Sequence, residues 1–343
     1  MLFRVLFFRK DPPPFMRDRL LLLLVALVWG TTFIFQRVST GTMGTFSFIG
    51  LRFVLGAFAI LPLVLWQKRR LENNSSKEKK QRCMASVSSD ISVSGSADGH
   101  KNTVTKPDKP WPLWLCGFII GCMLFGGSAF QQQALIYTTA GKAAFITSLY
   151  IIAVPLVGLL VGQPLRITHI FGCLLAVSGL YFLAFRSDGQ PLNFGDFLTL
   201  VGVLFWTLQI LFIDRFVRWY PGIYLAEGQF ITAAVLGFIG LFLTGESLNG
   251  EIIRQTAIPV LYAGLVSSGV GYTLQIIGQA KVPPTEATML MSCEMIFGAL
   301  SGFLFLNETM TMREFMGCLL MTGGIFMAQV PGRIVWYGRR RSF

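Results

Sequence analysis

Residues Gly172 to Phe182 read "GCLLAVSGLYF", and Gly317 to Met327 read "GCLLMTGGIFM". The two stretches lie 145 residues apart. The same offset pairs Gly126 with Gly271 and the run Gln163 to Arg166 with Glu308 to Thr311. Earlier in the chain the offset is 177, pairing Trp29 with Trp206 and Arg52-Phe53 with Gln229-Phe230. The 32-residue difference matches a longer segment after the second apolar run of the first half. Self-similarity at a fixed spacing marks a duplicated unit.

Each copy holds five long apolar runs. A helix needs about 20 apolar residues to cross a hydrocarbon layer of roughly 30 Å. Ten stretches qualify: Leu20 to Val38, Thr45 to Trp66, Trp111 to Ala134, Ala140 to Val161, Ile167 to Phe185, Gly195 to Phe216, Gly222 to Leu243, Ala257 to Gln279, Thr285 to Leu306 and Phe315 to Val330. Of the 343 residues 53% are hydrophobic and 13% charged, against about 25% charged in a soluble domain. The expected fold class is an all-α integral membrane protein with ten transmembrane helices in two five-helix repeats. Five is odd, so the second copy crosses the membrane inverted relative to the first. Inverted repeats are the architecture of many secondary transporters, with the solute site near the midplane where the repeats meet.

The net charge of +12 is a topology signal. With the N-terminus in the cytoplasm, the inner segments hold 23 of the 29 Lys and Arg and the outer ones five, with Arg52 left inside a span. That asymmetry satisfies the positive-inside rule and places both termini in the cytoplasm. The lipid bilayer is the expected surrounding, and a nucleic-acid partner is not expected. The expected division is a cytoplasmic segment 1–19, a first repeat 20–185, a second repeat 194–330 and a basic cytoplasmic tail 331–343. The loop 67–110 is rich in Ser, Lys and Asn and poor in aromatics, a composition expected to be disordered. Five of the six cysteines lie in apolar spans without the paired spacing of a disulfide framework or zinc site. No cofactor or metal is expected.

Several stretches resemble the EamA-like family of the drug/metabolite transporter superfamily. They are "LVWGTTFIFQRV" and "FIGLRFVLGA" in the first two spans, and "ALIYTTAGKAAFITSLYIIAVPLVGLL" across the third and fourth. "NFGDFLTLVGVLFWTLQI" and "CEMIFGALSGFLFLNETMTMREFMGCLLMTGGIFMAQ" carry the likeness through the second half. The resemblance implies a secondary active transporter working by alternating access. It also implies small metabolites, amino-acid-like solutes or drugs as cargo, and export across the cytoplasmic membrane as the expected direction. A central cavity lined by the first four helices of each repeat is implied, with the fifth helices at the periphery. Two positions depart from the family pattern: Glu294-Met295 stands where Glu-Pro is usual, and Gln163 where a glutamate is usual.

Polar residues inside the apolar runs are the candidate site. Arg52 lies seven residues into its span, about 10 Å along a helix, and an ionisable residue at such depth marks a solute or ion path, unless it snorkels to the headgroups. Thr45 and Gly56 on its face point it toward the interior. The expected role of Arg52 is to orient the anionic end of a solute or to pair with Glu294. Glu294 shares a small-residue face with Ala287, Gly298, Ser301 and Gly302, which suits helix packing or a cavity wall. Hydrocarbon around it favours the neutral acid and hence proton coupling, whereas an adjacent arginine favours an ion pair. Trp29, Thr32 and Gln36 share one face of the first span, and Trp206 with Gln209 occupies the matching part of the sixth. Gln229 is the repeat partner of Arg52, and Tyr272 with Gln275 adds polar groups to the eighth span. Together these residues suit a small polar or zwitterionic solute.

Two rival classes remain open in the sequence. A channel or membrane receptor can share a transporter fold. An intramembrane serine hydrolase could use Ser128 in "GGSAF" with His169, but Ser128 lies roughly 25 Å from the cytoplasmic start of its span and His169 lies close to that of its own. No P-loop is present, since "AGKAA" lacks the motif's upstream glycine and following Ser or Thr.

Overall fold

The computed structural model describes residues 14–89, 110–138, 140–160, 163, 165–184, 193–298, 300, 312–330 and 332–336. The first apolar run forms α1 (Pro14–Ser39), which a turn with Gly41 at φ +95° joins to α2 (Thr45–Ser89). The third run forms α3 (Leu113–Ala134). The fourth is split into α4 (Ala140–Thr147) and α5 (Tyr150–Leu160), and the fifth is α6 (Ile167–Ala184). In the second half come α7 (Phe194–Phe216), α8 (Gly222–Thr244) and the short α9 (Gly250–Gln255). The eighth run is α10 (Ala257–Leu261), a π-helical stretch Tyr262–Tyr272 and α11 (Thr273–Gln279). The ninth is α12 (Pro284–Met291) followed by α13 (294–298), and α14 (Met312–Gln329) closes the order of helices.

Among the described residues six helical stretches are long and apolar enough to cross a membrane: Met16–Ser39, Thr45–Asn73, Leu113–Ala134, Phe194–Phe216, Gly222–Thr244 and Ala257–Gln279. Tyr150–Leu160, Ile167–Gly179 and Phe315–Ala328 are apolar but shorter. Large apolar side chains face outward as well as inward, and polar ones are buried among the apolar core. Leu160, Phe242, Leu243 and Phe326 are exposed, while Thr32, Gln36, Gln209, Gln229 and Gln275 are buried. In lipid that arrangement costs nothing on the outside and hides the hydrogen-bonding groups within.

One sequence expectation is corrected. The segment after Trp66 does not become disordered at once, because α2 runs on to Ser89. Residues 67–89 contain no Gly or Pro and are dense in Gln, Lys, Arg and Glu, so a helix already nucleated in the membrane propagates through them. The remainder of that loop, 90–109, lies outside the described residues, as do 1–13 and 337–343.

The opening pair of sequences meets in space. A Cβ on Gly172 would lie 2.7 Å from the carbonyl oxygen of Gly324, and one on Gly179 would lie 2.6 Å from that of Gly317. As one helix ascends the other descends, so α6 and α14 are antiparallel. The repeat relation exchanges the two contacts, since Gly172 pairs with Gly317 and Gly179 with Gly324. Only glycine allows backbones this close. Gly172→Val is therefore expected to force the seam apart at a cost of about 1–3 kcal/mol, read as a lowered melting temperature in detergent; an unchanged melting temperature would show the seam to be loosely held.

Other contacts follow the same pairing. The packing of α3 on α7 is matched by that of the π-helical stretch on α1, and α3 on α8 by the π-helical stretch on α2. α5 on α7 is matched by α12 on α1, while α2 on α8 joins repeat partners directly. A two-stranded antiparallel ribbon, β1 (Leu165–Arg166) with β2 (Ile334–Trp336), ties the segment before α6 to the residues after α14.

Candidate functional site

The fourth and ninth apolar runs are interrupted at nearly matching positions, Ser148–Leu149 and Ser292–Cys293. At each break the backbone ladder tightens: Leu149 N–H donates to Ile146 O (3.1 Å) and Ile151 N–H to Ser148 O (3.0 Å). Likewise Cys293 N–H donates to Leu290 O and Met295 N–H to Ser292 O (both 3.2 Å). One turn of 3₁₀ spacing inside a helix is a hinge geometry. No proline is needed at the second break. Ser292 Oγ donates to Thr288 O (2.8 Å) and Thr288 Oγ1 to Thr285 O (2.9 Å), and such back-bonding bends a helix. The two breaks also meet each other: Glu294 Oε1 accepts hydrogen bonds from Ser148 Oγ (3.4 Å) and Tyr150 OH (3.2 Å).

Beside this junction lies a cavity of about 40 Å³, room for on the order of three waters. Trp29, Thr32, Gln36, Arg52, Trp206, Gln209, Tyr272, Gln275 and Glu294 all line it, with Gln131, Thr147, Tyr150 and Ser267 among the additional lining groups. Gln229 stands one layer behind, accepting from Gln209 Nε2 at 3.1 Å. Nine of the ten residues singled out in the sequence thus line one cavity.

Arg52 is 2% exposed. Its Nε donates to Ser268 Oγ (3.1 Å) and a terminal nitrogen donates to Ser267 Oγ (3.2 Å). Its guanidinium carbon lies 5.0 Å from the centre of the Phe53 ring and 5.9 Å from that of Phe48. The expected ion pair with Glu294 is not formed: among the described residues no carboxylate lies within ion-pair distance of Arg52. The reason is local, because the serines of the π-helical stretch hold the guanidinium while hydroxyls from the other break hold Glu294. A buried cation with only neutral partners carries a desolvation cost that an anion would offset.

Aromatic rings wall the same space. Tyr272 packs against Trp29 (4.8 Å between ring centres) and stacks on Trp206 (6.0 Å). Phe53 stacks on its repeat partner Phe230 at 6.0 Å. Among the described residues the indole nitrogens of Trp29 and Trp206 are buried without a hydrogen-bond partner.

Both ends of the bundle are polar. Where α1 begins, Glu286 is held by Arg19 (2.8 Å) and Arg166 (3.4 Å), with His169 at 3.9 Å, and Lys281 lies 3.6 Å from Asp18. At the opposite end a vestibule of about 260 Å³ is lined by residues that include Thr40, Thr45, Gln132, Gln133 and Glu246. Gln132 Nε2 donates to Gln36 O (3.4 Å) and Thr40 Oγ1 (3.2 Å), so a thin polar partition separates vestibule from cavity. The serine-hydrolase pairing has no geometric support. His169 sits beside Glu286, Ser128 is buried within α3, and no hydrogen bond joins the two.

Residues 18–88, 100–185 and 193–329 match the profile of the EamA-like transporter family. The chain belongs to the EamA-like transporter family. An uncharacterized transporter of Archaeoglobus fulgidus is 27% identical over 88% of this chain and 82% of its own length. The threonine/homoserine exporter RhtA of Escherichia coli K12 is 31% identical over a shorter region, 46% of this chain and 51% of that protein. A protein of known crystal structure has the same fold at 18% identity, with a TM-score of 0.68 over 91% of this chain and 98% of that one. This EamA-like transporter is thus an all-α, multi-pass integral membrane protein, and the cavity at its centre is built from residues of both halves.

Proposed function

We propose that this protein is a secondary active transporter of small, amino-acid-like zwitterions, built as two inverted five-helix repeats. It works by alternating access and exports its solute across the cytoplasmic membrane. The observation that carries the reading is Arg52, a buried cation with no anionic partner among the described residues, in a cavity between the repeats. The solute's carboxylate takes the guanidinium, with Ser267 beside it. Trp29, Thr32, Gln36, Trp206, Gln209, Tyr272 and Gln275 form the rest of the binding wall, with Gln229 supporting Gln209. Glu294 receives the solute's ammonium group or a coupling proton, and Tyr272 with the two tryptophans offers π faces that also favour a cation.

Support for inversion comes from the antiparallel contact of α6 with α14 and from the matched packing of the other helices. The cavity is smaller than an amino acid, so solute binding requires its walls to part. The paired interruptions in α4–α5 and α12–α13 supply hinges at equivalent points of the two halves, the pattern expected of broken transporter helices. The Glu286 cluster closes the cytoplasmic end, and the Gln36–Gln132 partition the outer one. The name of RhtA, which matches half of this chain, favours amino acids as cargo and export as direction.

Counterflow in proteoliposomes tests the assignment. Saturable exchange of labelled against unlabelled amino acid is expected, whereas conduction without counterflow would make the protein a channel. Glu286→Gln tests the cytoplasmic closure. Loss of the carboxylate leaves Arg19 and Arg166 facing each other, and a drop of several degrees in melting temperature is expected; an unchanged value would show that the cluster does not hold that end shut.

A further inference from the structure

The cavity has a neutral pole as well as charged ones. Gln275 Nε2 donates to Gln209 Oε1 (3.3 Å), and Gln209 Nε2 donates to Gln229 Oε1 (3.1 Å). All three side chains are 0% exposed. The ladder leaves both ends open, since Gln275 Oε1 and Gln229 Nε2 are buried without a partner among the described residues. Gln275 lines the cavity, as does Trp206, whose indole N–H is likewise without a partner. Leaving a buried polar group unsatisfied is costly, and native proteins retain few such groups.

A free acceptor and a free donor on the walls of one cavity complement a group that both donates and accepts, such as a hydroxyl or a carboxamide. The repeat relation sharpens the assignment. Gln229 occupies the position that Arg52 holds in the first repeat, so the second half supplies an uncharged pole where the first supplies a cation. We propose that the Gln275–Gln209–Gln229 ladder, with the Trp206 indole, reads an uncharged hydrogen-bonding group on the solute. The transporter then selects hydroxyl- or amide-bearing amino acids over apolar ones of the same shape. This rests on the proposal that Arg52 takes the solute's carboxylate. A site built to bond a hydroxyl discriminates strongly against the analogue lacking it, because its own polar groups are then left buried and unpaired.

The experiment is counterflow of tritiated L-threonine by the full-length protein in proteoliposomes, inhibited by unlabelled L-threonine or by L-valine, which replaces the hydroxyl with a methyl. Valine is expected to need at least about tenfold more for half-inhibition. Gln275→Leu should bring that ratio toward one, and Gln275→Glu serves as a second variant of preserved shape that also alters it. Equal inhibition of the wild type by threonine and valine would overturn the ladder's role while leaving the Arg52 reading standing. A ratio unmoved by either variant would place the selection elsewhere and overturn it too. Absence of threonine counterflow together with absence of binding by any amino acid would overturn the transport proposal itself.

Discussion

Arg52→Ala is expected to abolish amino-acid counterflow, and Arg52→Met to abolish it while melting at or above the wild-type temperature. Arg52 is 2% exposed, and among the described residues its guanidinium bonds to the hydroxyls of Ser267 and Ser268. Burying a charge costs several kcal/mol after relaxation, and neutral partners recover only part of it. Methionine refills most of the volume without that cost, so stability holds or rises. Removing one member of a buried charge pair with the solute costs about 2–5 kcal/mol, which corresponds to a fall in kcat/KM of at least roughly 30-fold. Transport assays and thermal melts on the same preparations check both parts. A methionine variant that melts well below wild type would make Arg52 a structural residue. Arg52→Lys should recover little, because an ammonium cannot present the planar fork that a carboxylate fits.

Glu294→Gln is expected to lose accumulation driven by a pH gradient and to keep exchange. The substituted amide can still accept from Ser148 and Tyr150 through its oxygen, so the junction between the two broken helices survives, but no proton can be taken up or released. Accumulation and counterflow measured on one batch of proteoliposomes separate the effects. A variant that still accumulates solute against the same gradient would remove Glu294 from coupling.

Much of the site was legible because polar side chains in apolar spans are costly and therefore conspicuous. Arg52, Glu294 and the glutamines Gln36, Gln209 and Gln275 stand out on that ground alone, and the repeat offset links Trp29 with Trp206. Gln131, Thr147, Tyr150 and Ser267 were missed. Serine and threonine satisfy themselves on their own helix backbone, as Ser292 does, so their presence in a span carries little signal. Tyr150 opens the strongly apolar run "YIIAVPLVGLL", which hides its hydroxyl. The helix interruptions were equally hidden. Neither Ser148–Leu149 nor Ser292–Cys293 contains glycine or proline, and the breaks arise where each helix packs on the other half. The absence of an Arg52–Glu294 ion pair also depends on packing, since each group found hydroxyl partners on a different element. Beyond Trp66 the composition pointed to disorder while local helix propensity, continued from the span, kept α2 intact to Ser89.

The most direct measurement is a thermal-shift titration of the detergent-purified protein and its Arg52→Met variant. The ligands are L-threonine, its decarboxylated amine, a simple carboxylate and a lipophilic cation. A ligand at 100 times its dissociation constant adds about 2.7 kcal/mol of apparent stability. Threonine is expected to stabilise the wild type, the amine lacking a carboxylate is expected not to, and the variant is expected to respond to neither. Stabilisation by the amine or the lipophilic cation alone, or by threonine equally in both proteins, would contradict the claim that Arg52 is the anchor for the solute's carboxylate.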